Sequence, residues 1–521
     1  MVERPISALF KVFVEEKLAS GLYGRVEDYF NKKIRTASQR SINFLTDNYL
    51  FICLLIFFIW LIYNFYPGAF VGDTFWIFSD IIHHSVSNWH SPLLSRIWQL
   101  ILFFTDIRGI VWIIQIIPIF IGLYIIAKNI SKGIITGVIC VFILFITPVF
   151  AFLSMVLKDT LLASFIFLVS AMLLDIAISQ KKKTLGFYIT TGIILIFCVY
   201  VRANGCFIAI PLLVAIFIGW KAPIFYRYIA CLVLVLCIVA TTSFVNIKLL
   251  KARDEAPDFS LMLFDLIGIA KNTGHPTLPD IPEVPDQMSI INKCYTPLQW
   301  DTIAYWDRHA FCSQIAVYYC DRRYDGKKIL KQTRKELRHA WVSAIIHHPS
   351  AYLKHRIKHF NRFIDYQGHR PAFFPVYKTD LGYINSGDSK DPMNEIVPAP
   401  KFWADFLENK GVALGYQLWF HPYVSLLILL FFYLATLGTS DRFNRTLNVV
   451  AFSGFIYLMG FLFVGVSADF RYSYPSLLLS IMCVLAAFAF YSQKREIFGT
   501  KKSRIIAASV TVPLFLIGII L

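Results

Sequence analysis

Charged side chains stand at the ends of several apolar segments in this sequence, and charge at membrane depth is costly and usually has a role. Asp73 is the first of them, and it follows an apolar segment and the glycines Gly68 and Gly72. A carboxylate in that position can take a proton from a hydroxyl as a general base. Ordinary loop polarity is the simpler interpretation, and we favour the functional one.

Cations and acids recur at the ends of other apolar segments. Lys158 and Asp159 lie between two of them, Arg202 follows another, and Asp469 and Arg471 follow a later one. Arginine suits phosphate because its planar fork donates several hydrogen bonds. Simpler interpretations are mutual neutralisation within each acid–base pair and extension of Arg202 toward the membrane interface. The convergence of acids and bases from separate loops favours one charged site.

The loop that carries Asp73 holds more polar side chains, among them His83, His84, His90 and Arg96. We interpret His83 and His84 as ordinary loop polarity. His90 and Arg96 are candidate substrate-binding residues.

The composition places these residues in a membrane protein. The chain has 521 residues, of which 57% are hydrophobic and 16% charged, and its mean hydropathy is +0.59. Soluble domains carry about 25% charged residues, and disordered chains have low hydrophobicity, so both classes are excluded. The net charge of +17 indicates basic cytoplasmic loops rather than a nucleic-acid partner.

A helix crosses a membrane with roughly 20 mostly apolar residues, and the sequence predicts an all-α polytopic protein with about eleven such spans. They are 49–66, 110–127, 134–156, 161–179, 184–201, 206–220, 226–247, 417–437, 447–467, 473–491 and 504–521. With a cytoplasmic N-terminus, this count puts every basic cluster between spans on the cytoplasmic side. A further span at 92–105 breaks the alternation, so we expect 76–84 and 92–105 to be short helices on or in the outer leaflet.

The spans divide the chain into four regions. These are a cytoplasmic amphipathic segment 1–48, a seven-span module 49–249 with a long first outer loop 67–109, a mostly helical outer domain 250–416, and C-terminal membrane helices 417–521. Within the outer domain, Cys294, Cys312 and Cys320 lie outside the spans. In an oxidising compartment two of the three can pair and leave one outside the disulfide.

Histidines of the outer domain could suggest a metal site. His355 and His359 have the spacing that binds zinc on a helix. The neighbouring Lys354, Arg356 and Lys358 disfavour a cation, so we predict a basic face near lipid headgroups or anionic substrate. We predict neither a metal site nor a cofactor.

The order of these features resembles the GT-C superfamily of integral-membrane glycosyltransferases, which take a sugar from a polyprenyl-phosphate carrier. Members have a seven-span module whose long first outer loop bears interfacial helices and a catalytic acid, matched here by 49–247 with Asp73 in the loop. A second acidic site after the third span is matched by Lys158-Asp159-Thr160. A variable outer domain and further spans follow, matched by 250–416 and 417–521.

Two short stretches add to the resemblance. Residues 348–356 and 468–472 look like segments of bacterial members. The paired acids of some metal-dependent members are absent, because Thr74 follows Asp73, so the resemblance gives no support for a divalent metal. The subgroup it resembles most is that of bacterial enzymes which decorate lipopolysaccharide or other surface glycans, including serotype-converting O-antigen glucosyltransferases.

The resemblance implies an enzyme of the bacterial inner (plasma) membrane with an outward-facing site. The donor is a sugar on undecaprenyl phosphate, and the acceptor is a lipopolysaccharide, O-antigen or other surface glycan. Asp73 is the expected general base, with Asp159 orienting the acceptor or a cation. The expected ligands of the leaving phosphate are Lys158, Arg202, Arg471 and, behind them, Arg356; the expected substrate contacts are His90, Arg96 and Asp469.

Two other functions stay open on the sequence alone. An O-antigen polymerase or ligase also has many spans and key arginines, but its main chemistry lies in the large outer loop. A non-enzymatic lipid or glycan transporter usually has inverted repeats and broken helices near mid-membrane. We find no such repeat, and the charges of this sequence stand mainly at the ends of the spans.

Overall fold

The computed structural model describes residues 48–70, 72–105, 109–216, 224–322, 326–365, 418–493 and 500–520. The predicted amphipathic segment 1–48 (Asn48 apart) and the end of the predicted outer domain, 366–416, lie outside these described residues. Within them the chain is mostly helical, which confirms the all-α class.

Helices in the first half of the chain begin and end as follows. They are α1 (Asn48–Phe65), α2 (Gly72–Ile82), α3 (Pro92–Phe104), α4 (Ile110–Ala127), α5 (Ile134–Leu144), α6 (Thr147–Leu153), α7 (Lys158–Ile178), α8 (Leu185–Val201), α9 (Gly205–Ile216) and α10 (Ile224–Ser243). The second half contains α11 (Asp258–Thr273), α12 (Gln287–Cys294), α13 (Gln314–Asp321), α14 (Lys327–His347), α15 (Pro349–Ile364), α16 (Pro422–Ala435), α17 (Arg442–Val464), α18 (Tyr474–Ser492) and α19 (Lys501–Ile520).

Six helices in the described part of the chain are long and apolar enough to cross a membrane, or seven if one bent pair is a single span. They are Asn48–Phe65, Ile110–Ala127, Lys158–Ile178, Leu232–Leu249, Arg442–Val464 and Phe470–Ser492. Large apolar side chains such as Ile56 and Phe142 point outward, 62% and 76% exposed. A lipid environment explains both the helices, which satisfy their own backbone, and this apolar exterior.

The third predicted span, 134–156, is not one straight helix. It is broken between α5 and α6, whose axes differ by 76°. Pro148 stands in the first turn of α6, where a residue without an N–H starts a helix but cannot continue one. The chain then forms a short strand, β2 (Met155–Val156), before α7 begins.

The membrane helices have two distinct ends. Helices α4 and α7 run parallel: Gln115 near the start of α4 hydrogen-bonds the backbone of Met155 and Leu157 (2.6 and 3.0 Å), and Lys128 just after α4 pairs with Asp175 near the end of α7 (3.4 Å).

Basic residues of three predicted clusters, 128–132, 181–183 and 442–445, lie at the second of these ends, whereas Lys221 and the clusters at 32–40 and 494–495 lie outside the described residues. The Arg442 guanidinium donates to the Lys181 carbonyl (2.9 Å), and the Leu50 amide donates to the Lys132 carbonyl (3.0 Å). We call this the basic end of the molecule, and the opposite end, where α7 begins, the site end.

The first long loop contains two helices, α2 and α3, close to the predicted 76–84 and 92–105, although α2 begins at Gly72 and so includes Asp73. A parallel strand pair anchors this loop at the site end. Strand β1 (Ala69–Phe70) pairs with β2, with Ala69 opposite Met155. The Thr74 hydroxyl adds a hydrogen bond to the Val156 carbonyl. Because β2 leads directly into α7, these contacts bring the start of α2 against the start of α7.

Residues 250–322 and 326–365, which we call the loop domain, have a hydrophobic core of their own. Cys294 and Cys312 form a disulfide within it, so two of the three predicted cysteines pair and Cys320 lies outside that bond. Helix α15 links the two cores: Ala351 packs in the loop domain, whereas Phe360 and Phe363 pack among the membrane helices. One continuous helix therefore joins the loop domain to the membrane part.

A substitution at Gly68 tests whether the pairing of β1 with β2 anchors the first long loop. Its φ is +91°, and an added Cβ would lie 2.6 Å from the Trp112 Cγ atom. We therefore expect Gly68→Ala to lower the free energy of unfolding by roughly 1–3 kcal/mol, measured as a fall in the melting temperature of the purified protein. Gly72→Ala is the matched control, because nothing lies within 4 Å of a Cβ there. Equal melting temperatures for the two variants would contradict the anchor.

Candidate functional site

Asp73 stands in the first turn of α2, and two cations hold its carboxylate. The Lys158 ammonium lies 3.2 Å from Asp73 Oδ2, and the Arg471 guanidinium lies 3.0 Å from the same oxygen. The two cationic side chains are only 13% and 16% exposed, so solvent screens these contacts little. Three segments that are far apart in the sequence thus meet at one carboxylate oxygen.

His90 completes the contacts of Lys158. The Lys158 Nζ atom lies 2.9 Å from His90 Nδ1. An ammonium can only donate, so Nδ1 is the acceptor and the proton of the neutral ring is on Nε2. The next residue, Ser91, fixes this loop, because its hydroxyl accepts from the Leu94 amide and donates to the Tyr200 carbonyl (2.7 Å).

Arg202 and Asp159 form a second ion pair beside the first. Asp159 is fully buried, and the Arg202 guanidinium lies 4.2 Å from the centroid of the Tyr472 ring. The Arg471 guanidinium lies 5.0 Å from the same ring. Tyr472 therefore holds the two arginines near each other, and cation–π attraction offsets part of their repulsion.

Asp469 holds the other side of Arg471. Its Oδ2 atom accepts from Arg471 Nε (2.8 Å), and its Oδ1 atom accepts from the Arg471 amide (3.3 Å). Arg471 is thus fixed between Asp73 and Asp469, so its guanidinium plane is oriented before any ligand arrives.

The charges set the ionisation of the two loop residues. Burial alone raises the pKa of the Asp73 carboxyl, but Arg471 and Lys158 outweigh it and hold that pKa well below its usual range. Burial, together with the charge of Lys158, lowers the pKa of His90 to about 3. Near neutral pH, Asp73 is therefore an anion and His90 is neutral.

One acidic residue of this neighbourhood was not predicted. Asp301 belongs to the loop domain. Partial burial raises the pKa of its carboxyl, and of the nearby charges Arg471 lowers this pKa and Asp73 raises it. The Trp306 indole donates to Asp301 Oδ1 (3.0 Å). The signal available in the sequence was the group of aromatic residues around Asp301, namely Trp300, Tyr305 and Trp306.

Two predicted substrate ligands lie elsewhere. Arg96 donates twice to the Leu250 carbonyl (3.1 and 2.9 Å) and so ties α3 to the start of the loop domain. Arg356 is 1% exposed, and it pairs with Asp265 (2.6 Å) and donates to the Gly465 carbonyl (2.6 Å). Both arginines hold backbone and helices together in this structure, and the structure does not bring them to Asp73.

The remaining predicted residues come together. Asp73, His90, Lys158, Asp159, Arg202, Asp469 and Arg471 form one connected set of contacts at the site end. His83, interpreted as loop polarity, is exposed and contacts its own helix at the Ser79 carbonyl (2.9 Å). In the part of the chain that the structure describes, no group of three or more His, Cys, Asp or Glu side chains could hold a metal ion.

No family model, no curated protein and no solved structure matches this chain. The chemistry of the site therefore rests on its own geometry. That geometry offers an ionised carboxylate, three cations and a neutral imidazole at the end of apolar helices, which suits proton transfer next to an anion held at a membrane surface.

The buried pair of Asp159 and Arg202 gives a stability prediction. Removing one partner leaves an uncompensated buried charge, whereas removing both does not. Arg202→Met should destabilise the protein by about 3 kcal/mol, and the double variant Arg202→Met/Asp159→Leu should recover most of that loss.

Melting temperatures of the purified variants test this. The control is Arg308→Met, because Arg308 and Asp321 are 54% and 38% exposed in their pair, so its loss should cost little. A double variant as unstable as Arg202→Met would show that the pair is not the cause.

Proposed function

We propose that this protein is an integral-membrane glycosyltransferase of the GT-C type. It moves a sugar from a polyprenyl-phosphate donor to a lipopolysaccharide, O-antigen or other cell-surface glycan on the outer face of a bacterial inner membrane. The observation that carries the proposal is the Asp73 carboxylate held between Lys158 and Arg471 where membrane helices end. A base and phosphate-binding cations in one place are what this transfer needs.

Several features of the fold support the GT-C assignment. The first long loop carries two short helices and the acid, and the described basic residues Lys128, Lys181 and Arg442 lie at the end opposite the site. The predicted count of eleven spans, together with a cytoplasmic N-terminus, places that basic end in the cytoplasm. The disulfide between Cys294 and Cys312 suits the oxidising side of the membrane, which is where the acceptor glycan is found.

The chemistry follows from the contacts. The acceptor hydroxyl oxygen forms a bond to the anomeric carbon while the bond from that carbon to the phosphate oxygen breaks, with inversion at the carbon. Asp73 takes the hydroxyl proton, and Lys158 and Arg471 stabilise the negative charge that develops on the leaving phosphate. No metal takes part in this scheme.

The donor itself activates the base. In the resting site Lys158 and Arg471 keep Asp73 a weak base. The phosphate of a bound donor shares both cations with Asp73, so donor binding raises the pKa of Asp73. The carboxylate then removes the proton of the acceptor hydroxyl more easily. Arg202, fixed by Asp159 and Tyr472, adds a third cation, and the neutral His90 has its Nε2–H available for a sugar hydroxyl.

The alternatives fit the contacts less well. A polymerase or ligase has its main chemistry in the large outer loop, whereas the acid and the two cations that meet at the site end, Asp73, Lys158 and Arg471, lie outside the loop domain. A transporter would need charges at mid-membrane, whereas the described ion pairs of α7 lie at its two ends.

Asp73→Asn tests the base. Loss of a general base costs roughly 10²–10⁴-fold, so transfer by the purified protein in detergent should fall by at least about 100-fold. Radiolabelled sugars on undecaprenyl phosphate, offered as a panel, provide the readout, with and without chelator. Asp175→Asn is the control, because Asp175 lies at the basic end. Full activity of Asp73→Asn in a folded protein would refute the assignment.

Lys158→Gln tests the electrostatics through the pH profile. The base must be deprotonated, so activity is lost as pH falls through the pKa of Asp73. Removing Lys158 takes away one of the charges that lower this pKa, so the acidic limb should move to higher pH, beyond any loss of rate.

The control for the pH profile is Lys128→Gln at the basic end, whose acidic limb should match that of the wild type. A Lys158→Gln profile that is lower but unshifted would mean that Lys158 does not set the ionisation of Asp73.

A further inference from the structure

Four aromatic side chains of the loop domain and the first loop lie in contact beside the charged site. The ring centroids of Trp89 and Trp306 are 5.4 Å apart, those of Trp300 and Trp306 5.8 Å, and those of Tyr305 and Trp306 4.7 Å. Trp300 is buried, whereas Trp306 is 52% exposed. A buried ring therefore supports an indole that is open to solvent, although exposure of one large apolar side chain alone would need no explanation.

The aromatic cluster is tied to the charged site by two routes. Trp89 directly precedes His90, which contacts Lys158. On the other side, the Trp300 amide donates to the Val466 carbonyl and the Ala468 amide donates to the Leu298 carbonyl (both 2.8 Å). Ala468 is followed by Asp469, which orients Arg471. The cluster cannot move far without moving the groups around Asp73.

A polar group completes the surface. The Trp306 indole donates to Asp301 Oδ1 (3.0 Å), and Asp301 Oδ2 carries further acceptor capacity. An indole face beside a carboxylate is a surface that recognises a sugar ring: the C–H face of the ring packs on the indole, and its hydroxyls donate to the carboxylate. A phosphate is disfavoured by the negative charge of Asp301.

We propose that Trp306 and Asp301, supported by Trp89, Trp300 and Tyr305, form the subsite that binds a sugar ring of the acceptor glycan. That the bound sugar belongs to an acceptor rests on the proposed function, whereas sugar binding itself does not. Trp306 and Asp301 are positioning residues here: they hold the glycan so that its reacting hydroxyl lies by Asp73.

Sugar binding can be measured without turnover. The full chain, without any lipid-linked donor, is titrated with soluble oligosaccharides of gluco-, galacto-, manno- and rhamno-configuration, and the change in tryptophan fluorescence is followed. At least one set should bind, and adding Trp306→Ala should weaken it about tenfold. Trp306→Phe, which keeps an aromatic face, should restore much of the affinity.

The control is Trp419→Ala, because Trp419 is similarly exposed (46%) and lies outside the cluster; its affinity should equal that of the parent. The inference is overturned if no oligosaccharide of the set binds the parent chain, or if Trp306→Ala binds as tightly as the parent.

A kinetic measurement separates this inference from the proposed function. If transfer is observed, Trp306→Ala and Asp301→Asn should raise the KM for the acceptor about tenfold while the KM for the lipid-linked donor stays unchanged. An unchanged acceptor KM overturns the subsite and leaves the glycosyltransferase standing. Sugar binding that depends on Trp306, in a protein with no transfer from any lipid-linked donor, supports the subsite and refutes the glycosyltransferase.

Discussion

Asp73 has two cationic partners, and each arrives on a different part of the chain. Lys158 opens helix α7, and Arg471 stands just before α18. The electrostatic attraction of both for one carboxylate gains strength because all three side chains are largely shielded from water. The rest of the structure positions these three groups: the pair of β1 and β2 sets Asp73, buried Gln115 sets the start of α7, and Asp469 sets Arg471.

The loop domain depends on the same region through a polar network. Arg356 joins Asp265 of α11 to the Gly465 carbonyl at the end of α17, four residues before Asp469. His355 bridges Asp265 and the Tyr295 hydroxyl (3.2 and 2.8 Å), and its ring approaches Gly268 so closely that a Cβ there would lie 2.1 Å away. A buried polar network that spans two domains in this way favours one arrangement of them. The loop domain is therefore held in a defined position over the charged site.

The sequence predicts a residue of the site best where its charge contrasts with apolar neighbours. Asp73, Lys158, Arg202 and Arg471 stand at the edges of apolar segments, where a charge is conspicuous, and the structure brings them together. Asp301 lies in a stretch of mixed polarity, so only its aromatic neighbours mark it.

Partners that are distant in the sequence are the harder part. Arg96 and Arg356 have the residue type of a phosphate ligand, but their partners, the Leu250 carbonyl and Asp265, come from other elements. A backbone carbonyl leaves no trace in residue type, so only the fold reveals that these arginines are structural. The break in the predicted span 134–156 is also hard to predict. Pro148 stands at the break, but proline is also tolerated inside membrane helices.

A structure of the purified full chain in nanodiscs with undecaprenyl phosphate would show whether the cations around Asp73 bind phosphate. We expect the phosphate group within hydrogen-bonding distance of both Lys158 and Arg471, with Asp73 displaced from at least one of them. A phosphate bound elsewhere, with Asp73 still held between the two cations, would contradict it.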